Sequence, residues 1–322
     1  MSIFPQVLLL GNGINIAYGG ASWNELLKRI TKNKDLLKLD LKSPMPLRAV
    51  LLTGGHIKGA MKTEKEHLMG RIDNKQQRAY YRSLLAAGFD HILTTNYSYE
   101  LEIASADKAE IKESALKKML SHTEIAKAAE PKYMLHTYYD CTFDGHQNRI
   151  WHIHGEARKP DSMVLGHYYY GSLFSKIKKY LDKKRDYYSK DQKEGKTTAI
   201  NSWIDAFILG DVYVLGFGYD LSEFDLWWLL ERKSREKAET GKLFYFAPSS
   251  EEFDEKTELL KVYEDTVQHI DCGIAIPKNA TKEEKNELYR KFYEAAQLRI
   301  REMMEEKERS DVEICNGMSQ LR

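Results

Sequence analysis

Four short stretches of this sequence bring together residue types able to do chemistry. Gly11, Asn12 and Gly13 follow directly on an apolar run, Gln6 to Leu10. Glycines there let backbone N–H groups approach a pyrophosphate with no Cβ in the way. The third glycine of the dinucleotide fingerprint is missing, so an ordinary tight turn remains open as an explanation. Asn96, in Leu-Thr-Thr-Asn-Tyr-Ser, offers a carboxamide that can both donate and accept, to a ribose hydroxyl or an attacking water; a cap on the following helix is the alternative. Trp151-His152-Ile153-His154-Gly155 puts both histidines on one face of a strand, because side chains alternate with a period of two. A metal pair is conceivable, but no third His, Cys or carboxylate stands at recognisable spacing, and no metal is expected. His154 reads instead as a general base at the strand end, or as a satisfied core histidine. Gly216-Phe217-Gly218-Tyr219-Asp220-Leu221 forms a second glycine loop, followed by a helix entry carrying Asp225. An acid there stabilises a helix dipole with or without a ligand.

These residues need elements to position them. Gln6 to Leu10 has the pattern of a buried parallel strand feeding a tight loop. Ser22 with Glu25 is a capping-box signal for a helix through Ile30. The text from 35 to 87 is mostly helical, broken at Gly54 and Gly55. His91 to Thr95 reads as a second strand delivering Asn96 at its carboxyl end, Ile150 to His154 as a third, Asp211 to Gly216 as a fourth, and Lys242 to Ala247 as a fifth stopped by Pro248. Residues 103–148, polar and then tyrosine-rich, read as an insertion outside the sheet. Thr281 and Glu284 open a long helix in which Leu288, Phe292, Ala296, Ile300 and Met303 recur every three to four residues, with a polar, disordered last dozen residues. The pattern predicts an α/β fold: an open, Rossmann-like parallel sheet with helices on both faces, its loops gathered at one ligand-binding edge. The expected division is an α/β domain over 1–275, with helical insertions near 35–85 and 103–148, then a C-terminal helix and polar tail over 276–322.

Composition limits the partners. With 49 Lys+Arg against 48 Asp+Glu and a net charge of +1, no whole-protein field draws the chain to nucleic acid or membrane. The run from Lys176 to Lys196 holds nine basic against four acidic residues, with tyrosines able to stack on bases; a solvated helix face of mixed charge looks the same, and nucleic-acid contact is not expected. Cys141, Cys272 and Cys315 are too widely spaced for a disulfide framework or a zinc site. The first residues read as a strand rather than a signal peptide, and no run reaches transmembrane length. The expected location is the cytoplasm.

Read in order, GNGIN, TTNYS, HGEARKPDSMVLG and VLGFGYDLSEFD resemble the sirtuin-like family, in particular its bacterial antiviral-defence branch, whose domains destroy NAD after phage infection. The resemblance spans roughly residues 6 to 232. It implies that Gly11, Gly13 and Asn15 cradle the dinucleotide phosphates, that Asn96 positions the ribose or water, and that His154 acts as base. Gly216, Gly218 and Tyr219 would hold the adenosine half, and Asn12, Thr95, Tyr97 and Asp225 complete the expected contacts with NAD. Two departures stand out. The paired-cysteine zinc module and the Pro-Asp-Phe-Arg stretch of the protein deacylases are missing, which argues against deacylation. The Asp that the family commonly has two residues after the Asn is here Ser98. The resemblance implies an NAD hydrolase that yields nicotinamide and ADP-ribose and depletes NAD in antiphage defence. A non-catalytic NAD or ADP-ribose binding subunit of a defence complex is the alternative. A lethal activity needs gating, so a homo-oligomer or a hetero-complex with a separate sensor or activator protein is expected.

Overall fold

Parallel strands buried on both faces need apolar residues at every position, and Gln6–Leu10 meets that demand with the run Val-Leu-Leu-Leu. In the computed structural model, which describes residues 4–38, 41–125, 133–184, 186–249 and 254–319 (the side chains only as far as 310), this is the central strand β1 (Gln6–Leu10). The others are β2 (His91–Thr94), β3 (Leu120–His122), β4 (Thr137–Phe143), β5 (His146–His152), β6 (Asp211–Leu215), β7 (Leu243–Ser249) and β8 (Val267–Ala275), in the order β3-β4-β5-β2-β1-β6-β7-β8. All pairings from β5 through to β8 are parallel, and β3-β4-β5 are antiparallel. The fold is Rossmann-like α/β.

The two faces follow the strand period. Leu8 and Leu10 of β1 join Ile92, Ile150, Tyr213 and Phe244 in one apolar layer, under the helices Trp23–Ile30, Met45–Thr53 and Lys75–Leu85. Val7 and Leu9 join Leu93, Trp151, Val212 and Tyr245 in the other, under His167–Asp182, Trp203–Leu209 and Phe224–Ser234. The Ser22–Glu25 capping box forms as the sequence predicts, and so does the one between Thr281 and Glu284. The latter opens the helix Lys282–Ser319, which lays Phe292, Ala296 and Ile300 against the first layer. This helix runs on through most of the residues anticipated as a disordered tail.

Several expectations need correction. The stretch 103–148 is not outside the sheet: β3, β4 and the start of β5 extend it as an antiparallel edge. Asp144 and Gly145, with φ of 48° and 80°, make the two-residue turn between β4 and β5, the left-handed pair that matches the twist of a hairpin. β7 passes through Pro248 to Ser249, with the ladder register shifting at that point, since proline has no N–H to give. β8 was not anticipated. Its Ile270, Cys272 and Ile274 alternate onto the first layer while the intervening residues stay exposed. The basic, tyrosine-rich segment folds onto an acid of its own: Tyr180 and Tyr188 each donate a 2.6 Å hydrogen bond to buried Asp205, and Lys184 lies 3.2 Å from it. Arg185 lies outside the described residues.

Register fixes where the functional loops emerge. Leu215 pairs with Leu10, Leu10 with Thr94, and Thr94 with His152, so four strand ends lie in one row. The loops leaving β1 and β6 then lock together, Gly11 N–H donating to Leu215 O (3.1 Å) and Gly13 N–H to Gly216 O (2.8 Å). A Cβ on Gly11 would collide with Gly216 O and lie 2.5 Å from Phe217 Cα. Gly216 itself holds a φ of +65°, a conformation side chains resist. Gly11→Ala is therefore expected to cost about 1–3 kcal/mol of stability through overpacking. Gly218→Ala, where nothing lies within 4 Å of the new Cβ, should stay within about 0.5 kcal/mol of wild type. Urea denaturation of the pair checks this, and equal midpoints would contradict it.

Candidate functional site

At the carboxyl ends of these strands lies a cavity of about 1240 Å³, room enough for a dinucleotide by the usual scale of ligand pockets. Of the residues that the sequence reading singles out, Asn12, Gly13, Asn15, Thr95, Asn96, Tyr97, Gly216 and Gly218 line it. Gly11, His154, Tyr219 and Asp225 do not. Gly11 is spent on the contact with Gly216. Tyr219 is buried with a φ of 47°, its hydroxyl donating to Leu226 O at 3.4 Å and its ring against Trp227.

The first loop is held by a carboxamide network. Asn15 Oδ1 accepts from Gln77 Nε2 (3.0 Å) and Tyr81 Oη (2.6 Å), and its Nδ2 donates to Asn12 Oδ1 (2.9 Å). The N–H of Gly13 is already taken by Gly216, so the glycines serve first to bring the two loops together. The C-terminal helix closes the cavity above them with Tyr289 and Tyr293. Asn96 is no helix cap: the next helix, Glu100–Ser105, begins after Tyr99. Its backbone N–H donates to Thr94 Oγ1 (3.1 Å) and its Nδ2 to Gly11 O (3.5 Å), which turns the carboxamide to the cavity wall. Ser98 lines the cavity too, and its hydroxyl hydrogen-bonds Glu100, a buried wall carboxyl whose pKa burial raises. The acid missing at position 98 thus has a neighbour two residues on.

The two histidines do not share a face. β5 ends at His152, and His154 sits in the turn that follows. His152 is buried against Glu102 (Nε2 to Oε1, 3.1 Å) and Asn96 O (2.9 Å to Nδ1). His154 is buried between two other acids, its Nε2 3.0 Å from Asp225 Oδ2 and its Nδ1 3.7 Å from Glu223 Oε2. Burial disfavours charge on both rings, but the carboxylates beside them outweigh it, and both pKa values end above the ordinary 6.5. Glu223, missed from the sequence, lines the cavity and accepts from Tyr170 Oη at 2.9 Å. Burial pushes its pKa up to about 7, against the pull of His154. The signal available was the pair of acids two residues apart at the entry of the last helix motif.

His154, Glu223 and Asp225 are also the one group of donors among the described residues, all within 4.8 Å, that could hold a metal ion. The imidazole faces a carboxylate at each nitrogen, so to ligate it would have to give one of them up. The two acids also favour the protonated form of the ring between them.

A protein-family model described as the SIR2-like domain matches residues 90–267, over half of the chain. The chain belongs to the SIR2-like domain family. The match takes in β2 to the start of β8, and with them Asn96, His154, Gly216, Gly218 and Asp225; the Gly11–Gly13 loop and the C-terminal helix of this SIR2-like protein lie outside it. Members of the family bind NAD. Among curated proteins none matches the chain significantly. No helix among the described residues is long and apolar enough to cross a membrane.

A raised histidine pKa stabilises the fold fully below the unfolded value near 6.5 and loses that contribution as pH rises through the folded value. Glu102→Gln is therefore expected to cost roughly 3 kcal/mol at pH 6, the scale of breaking a buried pair, and less at pH 9. Denaturant unfolding of both proteins at the two pH values tests this; a gap that widens with pH would contradict the His152–Glu102 pairing.

Proposed function

We propose that this protein is an NAD hydrolase that cleaves the nicotinamide–ribose bond to release nicotinamide and ADP-ribose. The observation that carries the reading is the shared cavity wall: Gly13, Asn96 and Gly216 meet there because four strand ends align. Breaking this bond develops positive charge on the ribose through an oxocarbenium-like transition state. Nicotinamide leaves as a neutral molecule, so no general acid is needed. What the site must supply is a held ribose, a polar group beside the cationic carbon, and a base that orients water. Asn96 supports the first two, its carboxamide fixed by Gly11 O. The acid pair around His154 supports the third.

In this reading the protein acts in the cytoplasm and depletes NAD in antiphage defence when triggered. Cells survive its resting state because activity is gated by homo-oligomerisation or by a separate sensor or activator protein. Asn96→Ala should reduce hydrolysis of a fluorogenic NAD analogue at least about 10²-fold, the scale of losing one positioned polar group, with NAD binding kept. Equal rates in the two proteins would remove Asn96 from the mechanism. Binding of NAD without cleavage by the wild type, alone and with any co-purifying partner, would favour a regulatory binding subunit instead.

A further inference from the structure

We propose that Glu223 is the residue that faces the substrate and takes the proton of the attacking water, with His154 a positioning residue behind it. This deepens the hydrolase reading and rests on it. Of the three groups in the cluster only Glu223 lines the cavity; the side chains of His154 and Asp225 are 2% and 0% exposed. The imidazole has no open edge. Its Nε2 lies 3.0 Å from Asp225 Oδ2, and its Nδ1 faces Glu223 Oε2 at 3.7 Å. A proton moving from the cavity to His154 meets Glu223 first.

Orientation supports the same assignment. Glu223 stands immediately before the helix Phe224–Ser234, and Tyr170, from His167–Asp182, fixes its Oε2 by donating a hydrogen bond of 2.9 Å. That oxygen takes both the tyrosine and the histidine contact, which leaves Oε1 for a water in the cavity. The groups facing Glu223 are His154 from the turn after β5, Tyr170, Asp225 on its own helix, Asp220 in the loop before it, and Tyr97 from the loop after β2. Burial and the two neighbouring aspartates raise its proton affinity, His154 lowers it, and the balance near 7 suits a base working at neutral pH.

The step balances without a further reactant. Water oxygen bonds to the ribose C1′ as the bond from C1′ to the pyridinium nitrogen breaks, and that electron pair neutralises the departing nicotinamide. The water proton passes to the Glu223 carboxylate and then to solvent. Asp225 holds the imidazole of His154 in place, and His154 in turn favours the ionised form of Glu223 against the burial that opposes it.

His154→Ala does not separate the two roles, since a positioning residue and a base both lose activity. The discriminating experiment is the pH dependence of NAD turnover, with NAD binding measured alongside, for wild type, Glu223→Gln and Glu223→Asp. Wild-type turnover should rise with pH through about 7. Glu223→Gln should fall about 10²- to 10⁴-fold, keep NAD binding within a few-fold and lose the rising limb; Glu223→Asp should recover part of the rate with the limb displaced. A Glu223→Gln rate within a few-fold of wild type, or the same limb retained in either variant, would overturn the proposal and return the proton to His154. If Glu223→Gln fails to fold, the limb of Glu223→Asp decides alone. A wild type that binds NAD without cleaving it would defeat the hydrolase reading, and this assignment with it.

Discussion

The row of backbone pairs that joins Leu215, Leu10, Thr94 and His152 is the constraint from which the site follows. Parallel ladders set the relative heights of four strands, and everything beyond those ends must share one edge. The loops after β1 and β6 then approach until Gly13 donates to Gly216 O. Such closeness excludes a Cβ at Gly11, so the glycines are a condition of the scaffold before they are a condition of any ligand. With that contact made, Gly11 O is placed to receive Asn96 Nδ2, and the loop after the second strand is tied to the loop after the first.

The same edge collects buried charge. His152 and His154 sit either side of Ile153, yet each finds a separate acid, Glu102 and Asp225. Ionised groups removed from water are costly unless paired and hydrogen-bonded, and the pairing here is nearly complete. Two of the acids beside His154 stand apart: Glu223 lines the cavity, and Asp225 Oδ1, buried behind it, has no hydrogen-bond partner among the described residues. Glu156 shows the contrasting case. Tyr99, Tyr139 and Arg158 hydrogen-bond it where it is fully buried and off the cavity wall, so it holds structure and meets no ligand there.

The parallel centre of the sheet was legible because its strands carry apolar, β-rich runs that lead into Gly or Asn. The edges were harder to read. In β8 only alternate residues pack, and in β4 polar residues are mixed with tyrosines, so the apolar content of both is diluted, although Asp144-Gly145 was a hairpin signal in plain sight. Eight of the twelve residues expected to contact the nucleotide or do chemistry lie on the cavity wall, carried by four motifs in order. His154 was found as a residue but not in its setting. A two-residue period places side chains only within a strand, and β5 ends two residues earlier. Glu223 was hidden because an acid at a helix entry has an ordinary structural use; only the fold shows that it stands between His154 and the cavity.

The family match stops at residue 267, while the cavity continues onto Tyr289 and Tyr293 of the C-terminal helix. Its wall is thus formed partly by residues outside the matched stretch. The most direct test of the account is a proton NMR time course of NAD incubated with purified protein, alone and with any partner that co-purifies. The account predicts nicotinamide and ADP-ribose appearing in equal amounts as NAD declines. NAD signals broadened by binding but undiminished under both conditions would contradict it.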